Sequence, residues 1–183
     1  MKRLFLLLFA GCLLATAASA QTLPAGTIFI NPSLTNLSFN SITVSYEGEK
    51  ESFSRFGLQA MGGYAIMDDL AIIAGLGVQG GKYEDNGITA LNVFAGARYY
   101  LPVAPGFYAG LNLALGNASV NTDDDFKANS ISLEANVGYD FFLTKRIAFE
   151  PAISYTYGLS TKVQDMSINL SMFTLNFGFL FLL

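Results

Sequence analysis

The last residues of the chain, 171–183, alternate between two kinds of side chain with a period of two. Because a β-strand turns successive side chains to opposite faces, this pattern predicts a terminal strand with one continuous apolar face. That face carries Phe173, Leu175, Phe177, Phe179, Phe181 and Leu183, and the other carries Met172, Thr174, Asn176, Gly178, Leu180 and Leu182. The apolar face needs a cover, which is either a second sheet or lipid.

The same alternation recurs along the rest of the chain and predicts seven more strands. They cover residues 27–35, 53–66, 70–79, 91–101, 107–116, 131–141 and 148–157. Most of these segments are close in length to a tilted membrane-spanning strand, which needs about 9 to 11 residues. Pro32 weakens the first segment as a central strand, since proline cannot donate a ladder hydrogen bond.

The predicted connections alternate between long and short. Long connections are predicted at 38–52, 80–87, 117–129 and 158–169, and short ones at 67–69, 102–106 and 144–146. Membrane barrels sort their connections in this way, with short periplasmic turns and longer extracellular loops. An even number of strands also returns both termini to the periplasm.

The two faces of the predicted strands differ consistently. One face is almost entirely apolar, and the other is rich in Gly, Ala, Ser, Thr and Asn. A soluble barrel that binds an apolar ligand would show the reverse pattern, although this class is kept as a second alternative. Lipid tolerates no open sheet edge. The sequence therefore predicts an all-β fold, a closed up-and-down antiparallel eight-stranded transmembrane β-barrel.

The N-terminus has the features of a secretory signal. Lys2 and Arg3 precede an apolar run over 4–15, and Ala18-Ser19-Ala20 is a small-x-small cleavage motif. We predict cleavage between Ala20 and Gln21, a signal peptide over 1–20 and a barrel domain over 21–183. Cys12 follows a lipobox-like segment, which leaves lipoprotein processing as a minor alternative. Cleavage after Ala20 removes the chain's single cysteine, so no disulfide framework is expected.

Composition narrows the range of functions. The chain is 52% hydrophobic and 13% charged, and its formal net charge is −4. Loss of Lys2 and Arg3 with the signal would make the mature chain more acidic, which argues against nucleic-acid binding. The sequence contains no histidine. Imidazole-based catalysis and His-ligated metals are therefore excluded, and we expect no enzymatic activity, no cofactor and no metal site.

Five charged residues fall on the polar face of the predicted strands: Arg55, Arg98, Glu134, Asp140 and Glu150. An eight-stranded barrel is just wide enough for side chains to fill its interior. We hypothesise two clusters across the lumen, one of Arg55 with Glu134 and one of Arg98 with Asp140 and Glu150. They would form either a plug of satisfied polar groups, which the narrow interior favours, or a gate in a narrow channel.

The predicted outer loops are acidic, through Glu47, Glu49, Glu51, Glu84, Asp85 and Asp123-Asp124-Asp125. Oxygen ligands of this kind could hold a divalent cation. No EF-hand spacing is present, and a charge run is usually a solvated surface.

The chain resembles the small outer-membrane barrels of the OmpA/OmpX type from Gram-negative bacteria. The resemblance rests on the hydropathy pattern, the loop alternation and the terminal residues Phe177, Phe179, Phe181 and Leu183. Relatives often end in an aromatic residue, whereas this chain ends in leucine. The resemblance implies a monomer in the outer membrane that contacts lipid and lipopolysaccharide. It also implies periplasmic chaperones and the barrel-insertion machinery as partners during biogenesis. A structural or surface-interaction role through four loops is expected, with a narrow pore for ions or small solutes as the alternative.

Overall fold

The alternating segments form eight long antiparallel strands. The computed structural model describes residues 23–35, 54–83, 86–120, 126–163, 166–167 and 171–183. The strands are β1 (Ile28–Thr35), β2 (Ser54–Met67), β3 (Leu70–Tyr83), β4 (Asn86–Tyr100), β5 (Phe107–Val120), β6 (Phe126–Tyr139), β7 (Ile147–Val163) and β8 (Ser171–Leu182). Two further pieces, Phe141–Phe142 and Met166–Ser167, pair with β7. No helix that could cross a membrane occurs among these described residues.

The sheet closes on itself. Each strand pairs with the next along the chain, and β8 pairs with both β7 and β1. Closure satisfies the backbone hydrogen bonds that an edge strand would leave open. The predicted closed all-β barrel of eight strands is therefore confirmed.

The predicted assignment of faces is also confirmed. On β5, Leu111 is 52% exposed and its neighbour Asn112 is 3% exposed. On β8, Phe173 and Phe179 are exposed while Thr174 and Leu180 are buried. The outside of the ring is thus apolar, and the inside holds the polar and small side chains together with a few large buried ones such as Leu180 and Tyr108.

Three of the four predicted long connections are wrong in extent. The strands β3 and β4 remain paired from Gly80↔Thr89 to Tyr83↔Asn86, so most of 80–87 is hairpin. Pairing between β5 and β6 likewise reaches Val120↔Phe126, and β7 continues to Val163. Polar composition predicts the end of a strand at these positions, but backbone pairing does not require apolar side chains. The predicted loop at 38–52 lies outside the described residues.

Strand β1 is paired on both sides, which corrects the doubt raised by its proline. Its ladder with β2 is continuous and includes Pro32↔Ala60. Its ladder with β8 contains Phe29↔Leu182, Ile30↔Phe181, Ser33↔Gly178 and Leu34↔Phe177, but no pair at Asn31 or Pro32. The missing N–H of proline explains the interruption. The β1–β8 seam therefore closes the barrel with an incomplete ladder.

The short connections lie together at one end of the barrel, called here the short-turn end. Residues 68–69 join β2 to β3, residues 101–106 join β4 to β5, and residues 140–146 join β6 to β7. Gly106 has a φ of +87°, a left-handed conformation that glycine adopts without strain. The start of β1 and the end of β8 lie at this same end, since Leu183 N–H donates to Ile28 O at 2.9 Å.

Candidate functional site

Glycines shape the barrel interior by making room for larger side chains on the adjacent strand. Gly110 lies directly opposite Asn136, and a Cβ atom at Gly110 would lie 2.5 Å from Asn136 Oδ1. Gly116 and Ser130 are opposite in the same way, with 2.6 Å between that Cβ position and Ser130 Oγ. The inward side chains therefore lie across neighbouring strands and fill the narrow interior.

Arg98 and Glu150 form an ion pair in this interior, toward the short-turn end. Arg98 Nη1 donates to Glu150 Oε2 at 2.6 Å, and Nη2 donates to Oε1 at 3.1 Å. Tyr108 Oη also donates to Glu150 Oε1, at 2.8 Å. Both charged side chains are almost completely buried. A two-point contact of this kind is the strongest geometry available to an arginine and a carboxylate.

Apolar and aromatic groups surround the ion pair. Arg98 Cζ lies 3.8 Å from the centroid of the Tyr108 ring and 5.8 Å from that of the Phe29 ring. Arg98 Nη1 donates to Tyr100 Oη at 3.3 Å. The buried apolar cluster that contains these aromatic rings also contains Leu180 and Leu23. We call the set of Phe29, Arg98, Tyr100, Tyr108 and Glu150 the plug. The plug fills the interior with paired charges and rings.

Asp140, the third predicted member of this cluster, lies beside the ion pair. Its side chain is 2% exposed, and its electrostatic neighbours include Arg98 and Glu150. Its backbone N–H donates to Gly106 O at 2.8 Å. Among the described residues, no donor meets hydrogen-bonding geometry at either carboxylate oxygen. The structure thus brings Arg98 and Glu150 into direct contact and leaves Asp140 adjacent to them.

Glu134 lies elsewhere in the interior and has uncharged partners. Its Oε1 accepts from Asn112 Nδ2 at 3.0 Å, and its Oε2 accepts from Thr156 Oγ1 at 3.5 Å. Both partners lie directly across from it on the neighbouring strands. Asn112 and Thr156 could not be identified as partners from the sequence, because the alignment of three strands depends on their register. The side chain of Arg55 lies outside the described part of the structure, so the predicted Arg55–Glu134 pair stays a prediction.

A small cavity is lined both by Glu134 and by members of the plug, Arg98 and Glu150 among them. Its volume is about 30 Å³, and its lining includes Asn31, Gln59, Asn112, Glu134, Asn136 and Asn176. A space of this size holds about one or two water molecules. The Oδ1 atoms of Asn112, Asn136 and Asn176 have no hydrogen-bond donor within the described residues, so ordered water suits this lining. Among the residues that the structure describes, no group of three or more His, Cys, Asp or Glu side chains could hold a metal ion.

The terminal residues of the predicted assembly strand lie on or next to β8. Phe177 and Phe179 point outward and contact the ring of Phe149, with centroids 6.2 Å and 5.6 Å away. Phe181 occupies the next outward position, and Leu183 follows the end of the strand. The cleavage residues Ala20 and Gln21 lie outside the described residues, as do the acidic residues at 47–51, 84–85 and 123–125.

A closed ring with an apolar outside and a polar, filled inside defines the class of transmembrane β-barrels. Within that class, the chain belongs to the outer membrane protein beta-barrel domain family, whose sequence pattern matches residues 5–181. This family places it among outer membrane proteins of Gram-negative bacteria.

Solved structures of small eight-stranded outer membrane barrels have the same fold. Neisserial surface protein A superimposes with a TM-score of 0.66 at 19% identity, over 84% of this chain and 96% of that protein. The attachment invasion locus protein of Yersinia pestis gives 0.55 at 17% identity, over 86% and 99%. OprG from Pseudomonas aeruginosa gives 0.54 at 16% identity, over 87% and 97%. Comparison with curated protein sequences finds no match.

Proposed function

We propose that the protein is a non-conducting, non-enzymatic barrel of the outer membrane that acts as a structural or surface-interaction protein. The plug is the observation that carries this proposal. Arg98 and Glu150 are paired, buried and packed against aromatic rings in an interior that has little room for water. An ion would have to displace a two-point ion pair, and breaking a buried pair typically costs about 3 to 5 kcal/mol.

The alternative function is a narrow pore for ions or small solutes. The polar cavity beside Glu134 favours it, because amide and carboxylate groups line a space large enough for water. A cavity of this size with the plug beside it suits a few ordered waters better than a conducting path.

The proposal also includes the orientation of the barrel in the membrane. We place the short-turn end and both chain termini in the periplasm, with the four opposite connections outside the cell. Ligands would then meet the protein at its outer loops, since binding residues usually lie on loops held by a rigid scaffold. Lipid and lipopolysaccharide would contact the apolar exterior. The outward aromatic residues of β8 would be presented to the insertion machinery.

The chemistry of the chain supports a role without catalysis. The sequence has no histidine, and its one cysteine lies in the predicted signal peptide. The buried charges of the plug neutralise one another at close range, which gives them a packing role.

Planar-bilayer recording tests the proposal. Refolded wild-type protein should give no current steps, while heat-modifiable gel migration and flotation with liposomes show that it is folded and inserted. The matched variant Arg98→Ala/Glu150→Ala/Tyr108→Ala removes the polar centre of the plug and should give steps. Regular steps from the wild-type protein would establish the pore instead.

A further inference from the structure

The segment before β1 is attached to the turn between β2 and β3. Leu23 is 3% exposed and belongs to the buried apolar cluster at the short-turn end. The chain then turns, with Thr27 N–H donating to Pro24 O at 3.2 Å and Gly26 at a φ of +84°. This turn leads directly into the first strand.

The main chain of Leu23 forms two hydrogen bonds with one residue of the β2–β3 turn. Leu23 N–H donates to Asp69 Oδ1 at 3.2 Å, and Asp69 N–H donates to Leu23 O at 2.9 Å. Ala25 N–H donates to Asp68 Oδ1 at 2.8 Å. The two aspartates therefore bind backbone groups of Leu23 and Ala25 in the N-terminal segment.

Asp69 itself is held in a conformation that few residues adopt. Its φ is 62°, and it is the one non-glycine residue with positive φ among the described residues. Aspartate tolerates this left-handed region better than most side chains. Asp69 O also accepts from Tyr100 N–H at 2.7 Å, which connects the turn to the end of β4. The turn therefore has a hydrogen bond to β4 that does not involve the N-terminal segment.

The strand that follows this segment, β1, is short and incompletely paired. β1 is the shortest of the eight long strands, and its ladder with β8 lacks the pairs at Asn31 and Pro32. The docked segment extends the β1–β2 ladder beyond Ile28, through Gly26 N–H to Ala65 O and Ala65 N–H to Thr27 O. An anchor at the start of β1 limits fraying of the strand that closes the ring.

We propose that the Asp68-Asp69 turn is a docking site for the chain's own segment 23–26, and that this docking keeps β1 in the β1–β8 seam. The recognition is mainly by main-chain hydrogen bonds, with the buried Leu23 side chain as the apolar contact. The inference is independent of whether the interior conducts, because none of these groups belongs to the plug apart from the backbone of Tyr100.

Two substitutions of one residue separate docking from turn conformation. Asp69→Gly keeps the left-handed conformation available but removes the carboxylate, whereas Asp69→Asn retains an oxygen that can accept from Leu23 N–H. Thr144→Gly is the control turn, since Thr144 Oγ1 accepts from Arg146 N–H and Ile147 N–H, and neither of these hydrogen bonds involves β1.

Amide hydrogen exchange of the full chain in detergent micelles measures the effect strand by strand. In Asp69→Gly, we expect amides of the β1–β8 ladder to exchange about ten-fold faster, as loss of one charge-assisted hydrogen bond predicts. The β5–β6 ladder should keep its wild-type rates. Asp69→Asn should stay near wild type throughout, and Thr144→Gly should leave β1 unchanged.

Wild-type exchange at β1 in Asp69→Gly, or equal acceleration in every ladder, would overturn the proposal. If Asp69→Gly does not refold, Leu23→Ala provides the second test. It keeps the main-chain hydrogen bonds and removes the buried side chain, so acceleration should again be confined to β1 and β8.

Discussion

Arg98 and Glu150, 52 residues apart in the sequence, meet inside the barrel through two hydrogen bonds of 2.6 and 3.1 Å. Arg98 lies on β4 and Glu150 on β7, so the pair connects strands that are not neighbours in the ring. Two buried charges are stable only with good mutual geometry and further hydrogen bonds, which Tyr108 and Tyr100 supply.

Removing one member of this pair should cost far more than removing both. We expect Arg98→Leu or Glu150→Leu alone to lower the free energy of unfolding by about 3 to 5 kcal/mol, because each leaves a buried charge without its partner. In the double variant, the total loss of unfolding free energy should be smaller than the loss in either single variant, because no buried charge is left without its partner. Urea unfolding in lipid vesicles measures these losses for the wild-type protein, the two single variants and the double variant. Additive effects would show that the two side chains do not interact in the membrane.

The inward glycines should not tolerate alanine where a cross-strand side chain covers them. Gly110→Ala places a Cβ 2.5 Å from Asn136 Oδ1, so we expect a loss of about 1 to 3 kcal/mol in unfolding free energy. Gly62→Ala is the matched control, because its nearest neighbour outside the adjacent residues is Phe29 O at 4.0 Å. Combining Gly110→Ala with Asn136→Ala should restore part of the lost stability. Equal effects at Gly110 and Gly62 would refute this packing.

The apolar exterior should reject charge within the membrane. Leu113 lies near the middle of β5 and is half exposed, so Leu113→Arg would place a guanidinium in lipid. We expect a cost of about 2 to 4 kcal/mol in vesicle unfolding experiments. Val103 is 91% exposed in the turn between β4 and β5, and Val103→Arg should have little effect. If Leu113→Arg leaves the unfolding free energy unchanged, this position faces water.

The proposed orientation predicts which positions a membrane-impermeant maleimide can reach. Cysteine replaces Lys145 in the short β6–β7 turn or Asp124 in the connection between β5 and β6. With the predicted cleavage after Ala20, the mature chain would have no other cysteine, so background labelling should be low. We expect Asp124→Cys to react in intact cells and Lys145→Cys to react only after the outer membrane is permeabilised. The opposite pattern would reverse the orientation.

The sequence was sufficient to predict the strands and their faces, because a period of two can be read directly at positions such as Leu111 and Asn112. It did not predict where the strands end at the long connections, since Gly80 to Tyr83 continue their ladder despite a polar, glycine-rich composition. A bulge was also missed. Ile131 pairs with Ser160 and Ser132 with Gly158, so the extra residue Leu159 changes the phase of the alternation.

In the interior too, the local pattern predicts some contacts, while others depend on the register between strands. Arg98, Glu150 and Asp140 could be grouped from strand direction alone, because all three lie on the polar face near one end of their strands. The partners of Glu134 required the pairing of β5, β6 and β7, which local sequence does not contain. The docking of Leu23 on Asp69 had no periodic signal, as it depends on main-chain hydrogen bonds and on a left-handed aspartate.

We expect lipid to cover the outside of this ring while the polar side chains lie within it. Spin labels placed at neighbouring residues of one strand, Leu111→Cys and Asn112→Cys, test it most directly in reconstituted vesicles. The label at 111 should collide readily with oxygen, which concentrates in lipid, and the label at 112 should be shielded from it. The same result is expected for Val137 against Asn136. Shielding at 111 and 137 with lipid contact at 112 and 136 would contradict the account.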